Sequence, residues 1–241
     1  MGVAFFWGAV GASALLVGAF VAYLGSPGHR FIAIVMALGA GLLIGSVSFE
    51  LIDDALEVAE VGRVGIYTLL GAAVFTLGNW ILDRKGGGDR KDADGSQEDG
   101  SPLAIVFGSI LDGIPESFVL GLTVLQGGVS VGLLAGVVLS NFPEGMSSSA
   151  GLRVAGWRRS RVFGMWLVVM VVSGASAALG YEVLGDPSNS GSAAVAQGFA
   201  AGALLAMVAD TLLPEAYDVE RVFTGSLVAI GFAVSLILTS L

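Results

Sequence analysis

Two short stretches of this chain carry residue types that could do chemistry. Asp112-Gly113-Ile114-Pro115-Glu116-Ser117 and Ser140-Asn141-Phe142-Pro143-Glu144-Gly145 each place a glutamate directly after a proline, and the two Pro-Glu pairs lie 28 residues apart. Asp112 and Glu116 are four residues apart, as are Ser140 and Glu144, so on a helix each pair points from one face. Asn141 sits three residues before Glu144, on an adjoining strip of that face. If the two faces meet, they enclose three carboxylates, an amide oxygen and a hydroxyl, with no Lys or Arg nearby in sequence to compensate them. Such a set calls for a divalent cation. Oxygen-rich ligation suits Mn²⁺, Mg²⁺, Fe²⁺ or Zn²⁺, and the lack of imidazole leans away from the strongest zinc sites. Proline adds a second feature. It deletes its own N–H···O bond and clashes with the carbonyl four residues back, so Pro115 frees the carbonyl of Leu111 and Pro143 that of Leu139. Two plainer readings stand beside this one: buried acids can be protonated and hydrogen-bonded to Ser or Asn, and helix prolines can be simple kinks.

The elements that must position these residues are membrane helices. Of 241 residues, 55% are hydrophobic, 13% are charged and 37 are glycine. A soluble domain carries about a quarter charged residues and about 7% glycine. A spanning helix needs about 20 mostly apolar residues, and eight stretches qualify: 3–24, 31–52, 64–82, 102–125, 129–152, 162–184, 192–213 and 222–241. The first lacks a basic n-region and is too long for a signal-peptide core, so it is expected to remain as a helix. Both Pro-Glu pairs fall mid-span, where a carboxylate costs about 3 kcal/mol on insertion scales unless it is paired or hydrated. Glu116 and Glu144 therefore need a cation or a proton.

Lys and Arg set the orientation. Arg30, the group Arg84, Lys85, Arg90 and Lys91, the group Arg153, Arg158, Arg159 and Arg161, and Arg221 all fall in loops on one side, whereas only Arg63 falls on the other. The positive-inside rule makes the crowded side cytoplasmic and puts both termini outside. Residues 84–101, rich in Gly and charge without apolar periodicity, are expected to form a flexible cytoplasmic loop between the third and fourth helices. The fold class expected is an all-α membrane protein of one domain, with eight transmembrane helices.

The sequence also matches itself. A shift of 161 places Leu38–Val58 on Phe199–Val219, with Ala40/Ala201, Gly41/Gly202, Leu43/Leu204, Val47/Val208, Leu51/Leu212, Ala55/Ala216 and Val58/Val219 identical and Asp54 on Glu215. The two copies cross the membrane in opposite senses, which is the signature of an inverted repeat. With the Pro-Glu echo between them, the layout is three helices, two polar proline-broken helices, then three helices. Glu50, Asp53 and Asp54 on the second span, with Asp210 and Glu215 on the seventh, form either pathway mouths or ordinary interfacial residues. Ser46, Ser48 and Ser147-Ser148-Ser149 read as helix-packing contacts, and His29 as a loop residue.

Several classes are excluded. There is no cysteine and only one histidine, which rules out disulfides, thiol catalysis and multi-His metal centres within one chain. A net charge of −9 with scattered basic residues gives no footprint for nucleic acid.

At these residues the chain resembles the ZIP (Zrt-, Irt-like) family of divalent metal transporters. Asn141-Phe142-Pro143-Glu144-Gly145 is similar to that family's Asn-x-Pro-Glu-Gly, and Leu212-Leu213-Pro214-Glu215-Ala216 resembles the Leu-Leu-Pro-Glu-Ala that often ends its seventh helix. The resemblance implies a 3+2+3 bundle in the plasma membrane, a metal site between the fourth and fifth helices, and alternating-access, elevator-like movement of metal toward the cytoplasm. Zn²⁺ or a relative such as Mn²⁺, Fe²⁺, Co²⁺ or Cd²⁺ would then be cargo, and homodimers are common in the family. By motif position Asp112 stands where the family usually has His, Glu116 matches its metal-bridging Glu, Ser140 and Asn141 take the first polar positions of the fifth-helix motif, and Glu144 matches its Glu. Gly113 replaces a usual Asn ligand, Ser117 a Gly, and 173–177 lacks a Glu that some members give to a second metal, so one principal site is expected. Two other classes stay open: a proton-coupled carrier of small organic ions, relaying protons through Asp112, Glu116 and Glu144, and an intramembrane metal hydrolase, against which the absence of His from the spans counts.

Overall fold

The computed structural model describes residues 1–25, 28–84, 102–125, 127–183 and 190–240. Among these residues the backbone is helical almost throughout and contains no strand. A chain this apolar must satisfy its backbone groups internally, and helices do so within each segment. The order is α1 (Gly2–Leu24), α2 (His29–Ser46), a π turn (Val47–Ile52), α3 (Asp53–Val58), α4 (Val61–Leu82), α5 (Pro102–Leu125), α6 (Val131–Val154), α7 (Arg159–Val183), α8 (Ser190–Met207), a second π turn (Val208–Leu212), α9 (Leu213–Glu220), a 3₁₀ turn (Arg221–Phe223) and α10 (Thr224–Thr239). Each expected apolar stretch falls on helix to within a few residues. From residue 85 onward the loop expected at 84–101 lies outside the described residues. His29, expected in a loop, is instead the exposed first residue of α2.

Local chemistry fixes some of these ends. Helix α6 starts at Val131, later than the apolar run, because the Ser130 hydroxyl caps it by accepting from the Leu133 amide at 3.0 Å. Between α3 and α4 the extended backbone of Ala59 and Glu60 breaks the helix.

Among the described residues six helices are long and apolar enough to cross a membrane: Gly2–Leu24, His29–Val58, Val61–Leu82, Ile105–Leu125, Arg159–Glu182 and Gly191–Thr239. The last is 49 residues long, more than twice what one crossing needs. It folds back on itself near Arg221, whose φ is 47°. The direction of its two halves is set by their neighbours. Helix α8 runs alongside α4, from Gly198 against Val64 to Asp210 near Thr76. Helix α10 runs alongside α2, with Ser235 at Ser46 and Thr239 at Glu50, while Glu220, at the end of α9, stands at Arg30. Helix α6, polar at its centre, falls outside the six.

The helices are held by close backbone approach at glycines, as in other membrane bundles. A Cβ at Gly18 would overlap the carbonyl oxygen of Phe142, and one at Gly180 that of Phe118; Gly145 meets the carbonyl of Leu15, and Gly121 that of Ala177. In the other half Gly41 meets Val228 and Gly202 meets Thr68, while Gly231 meets Leu38 and Gly71 meets Phe199. Every contact has a counterpart at a fixed shift: 162 from α1 to α7, 24 from α5 to α6, 161 from α2 to α8 and 160 from α4 to α10. The two π turns begin at Val47 and Val208, again 161 apart.

One ion pair ties the arginine-bearing end. The Arg30 Nε donates to Glu220 Oε1 at 2.7 Å, joining the start of α2 to the end of α9, and the Glu220 side chain is only 4% exposed. Removing the cation leaves a buried carboxylate uncompensated. Arg30→Met is therefore expected to destabilise by about 1–2 kcal/mol, discounted because the arginine itself is exposed, and Arg30→Met/Glu220→Gln to recover most of the loss. Thermal unfolding of the three proteins in detergent checks this; equal destabilisation in the double variant would refute it.

Candidate functional site

Helices α5 and α6 run antiparallel, and their polar faces meet. Asp112 and Glu116 are each 2% exposed, Ser140 2%, Asn141 4% and Glu144 3%. All five predicted residues thus lie in the interior of the bundle. The prolines stay within continuous helices, Pro115 in α5 and Pro143 in α6.

The two glutamates are engaged reciprocally across the helix pair. Ser140 of α6 donates to Glu116 Oε1 of α5 at 2.7 Å, and Ser109 of α5 donates to Glu144 Oε1 of α6 at 2.5 Å. O–H···O bonds of this length are short, and in a low-dielectric interior they fix the orientation of the carboxyl groups. The set has two levels. Glu116 lies opposite Ser140, whereas Asp112 and Glu144 lie one helical turn, about 6 Å, nearer the Pro102 end of α5.

Not all predicted partners converge. Asn141 Nδ2 donates to the Gly11 carbonyl of α1 at 3.3 Å, which ties that amide to a helix outside the pair. Among the described residues, no three His, Cys, Asp or Glu side chains are grouped closely enough to hold one ion. A serine hydroxyl occupies one oxygen of each glutamate.

The register between the helices differs from the 28-residue echo of the sequence. A shift of 24 relates α5 to α6 in the packing, and it carries Glu116 onto Ser140. The Ser140–Glu116 hydrogen bond therefore joins two equivalent positions, while Glu144 falls on Leu120 and Asp112 on Gly136. The reason is steric. Gly121 and Gly145 are the points where backbones of α7 and α1 can touch, and those contacts, rather than the prolines, set how far each helix slides.

Ser109 is the residue that sequence reasoning missed. It is 3% exposed and stands seven residues before Glu116, two turns back on the same face; that spacing was its signal. Helix α7 contributes another hydroxyl. A Cβ at Gly113 would lie 3.2 Å from Ser173 Oγ, so the space that a larger residue would fill there is bounded by serine. Ser176 donates to the Ile114 carbonyl at 2.9 Å, one residue before Pro115. Of the serines read as packing contacts, Ser46 pairs with Ser235 at 3.1 Å and Ser149 accepts from Trp166 Nε1 at 2.8 Å, both between helices, whereas Ser48 and Ser147 donate to carbonyls one turn back, those of Ile44 and Glu144.

No protein-family model matches the chain, and no curated protein matches its sequence. The resemblance to metal transporters rests on the motifs alone.

Proposed function

We propose that this protein is a ZIP-like carrier that moves divalent metal cations across a membrane through the site between α5 and α6. One observation carries the reading: Glu116 and Glu144, buried on facing helices, are each held by a hydroxyl of the other helix, with no Lys or Arg in α5 and none in α6 before Arg153. Buried carboxylates in a membrane interior mark ion or proton pathways. Asp112, Glu116, Ser140, Asn141 and Glu144 are the proposed ligands, with metal displacing the serine hydroxyls as the carboxylates turn toward it.

The paired contacts support an inverted 3+2+3 repeat of eight crossings, in which α6 is the polar crossing and Gly191–Thr239 supplies two. A two-fold axis in the membrane plane exchanges α1 with α7, α5 with α6, α2 with α8 and α4 with α10, which is how alternating-access carriers are built. Such an axis lets the two halves trade conformations, so that a sealed site opens to one side and then to the other. On this reading the arginine-bearing loops face the cytoplasm, the membrane is the plasma membrane, both termini lie outside, and the cargo moves inward; a homodimer is part of the same expectation.

The test is uptake into proteoliposomes, screening Zn²⁺, Mn²⁺, Fe²⁺, Co²⁺, Cd²⁺ and Mg²⁺. Saturable uptake of at least one metal is expected. With Asp112 where an imidazole would favour zinc, Mn²⁺ or Fe²⁺ should compete with Zn²⁺ within about tenfold. Absence of uptake for every metal by folded protein would overturn the reading and turn attention to proton-coupled carriage of small organic ions.

A further inference from the structure

We propose a second cation site at the end of the molecule opposite the arginine-bearing loops, formed by Glu50, Asp54 and Gln197 and suited to a hard divalent ion. The site lies where α8 packs against the first π turn and α3. It is separate from the α5–α6 centre and does not depend on it.

Three observations build the site. Gln197 of α8 is 2% exposed, and its Nε2 donates to Asp54 Oδ2 at 3.3 Å, which brings its carboxamide end to the Asp54 carboxylate. Its Oε1 is buried and has no hydrogen-bond partner among the described residues. Glu50, on the π turn, lies four residues before Asp54, and α8 packs against both segments; its Oε2 is likewise buried, with no hydrogen-bond partner among the described residues. An acceptor oxygen left unpaired in the interior costs about 1–3 kcal/mol. Two such oxygens beside a further carboxylate are what a cation would relieve.

The π turn positions the set. One extra residue in a turn rotates the helix beyond it, and such turns are frequent at functional sites. The remaining oxygen of Glu50 is anchored: Thr239 of α10 donates to Oε1 at 3.2 Å. Glu50 is therefore braced from α10, with Oε2 left over. Two carboxylates and one carboxamide give an all-oxygen donor set, the chemistry of Mn²⁺, Mg²⁺ or Ca²⁺ and not of a thiophilic metal. The second copy of the repeat cannot reproduce it, because the 161-residue shift carries Glu50 onto Thr211. This site exists at one end only.

Mn²⁺ binding decides the matter, counted by the loss of the free-ion resonance when purified full-length protein is titrated. The central carboxylates are first silenced with Glu116→Gln/Glu144→Gln. In that background one Mn²⁺ per chain should remain bound, Glu50→Gln should weaken it at least tenfold, and Gln197→Leu should weaken it in the same direction. Both changes keep the size of the side chain close to the original, and thermal unfolding confirms folded protein; should one of them fail to fold, the other decides. No Mn²⁺ bound in the silenced background, or binding there that neither change weakens, overturns the site. Failure of the central site is read separately, as an unchanged Mn²⁺ count between wild type and the Glu116→Gln/Glu144→Gln protein.

Discussion

Glu116→Gln/Glu144→Gln is expected to lower metal uptake by a hundredfold or more while leaving the fold as stable as before. Glutamine keeps the shape of glutamate and still accepts from Ser140 and Ser109, the two hydroxyls that hold these side chains at 2.7 and 2.5 Å. What it removes is charge. A carboxylate at mid-membrane is costly to bury, about 3 kcal/mol on insertion scales, and exchanging a buried ionic group for a neutral one of similar volume is often neutral or stabilising. A cation, by contrast, loses the electrostatic attraction that repays its own desolvation. Stability and function should thus separate. The melting temperature without metal stays level or rises, and the part of the metal-induced rise that comes from the central site is lost; at a hundred times that site's dissociation constant it corresponds to about 2.7 kcal/mol. Uptake that survived the double change would remove these two residues from the transport path.

Gly71→Val should be the most damaging single change away from the polar centre. A Cβ at this position of α4 would overlap the carbonyl oxygen of Phe199 in α8, and a backbone carbonyl cannot swing aside as a flexible side chain can. Overpacking of this kind costs about 1–3 kcal/mol where side chains can yield and more where they cannot, so a loss of at least about 3 kcal/mol, with poor recovery of folded protein, is the expected outcome. Gly65 on the same helix faces open space, with nothing within 4 Å of where a Cβ would stand, and Gly65→Ala should be neutral or gain up to about 1 kcal/mol from helix propensity. Thermal unfolding in detergent separates the two. Equal melting temperatures for both variants would refute the role given to close backbone contact.

Much of the molecule was legible before its tertiary structure. The apolar stretches needed only the length rule for membrane helices, and the four-residue spacings of Asp112 with Glu116 and of Ser140 with Glu144 needed only the helical period. Burial of all five site residues was implied by their place in mid-span. Ser109 was readable in principle, two turns before Glu116, but a lone serine among apolar residues looks the same whether it packs or positions a carboxylate. Gln197 was not readable, since a single amide on α8 gains meaning only from Asp54, 143 residues away.

The sequence alone determined which segments are helical, which faces of them are polar and where the glycines and prolines fall, because these depend on local period and composition. Only the tertiary structure decided how far the helices slide along one another. A shift of 24 rather than 28 relates α5 to α6, so that Ser140 rather than Glu144 stands opposite Glu116. The physical reason is that spacing within a helix is fixed by its own hydrogen bonds, whereas register between helices in an apolar solvent is fixed where backbones can touch. Here those places are Gly18, Gly121, Gly145 and Gly180.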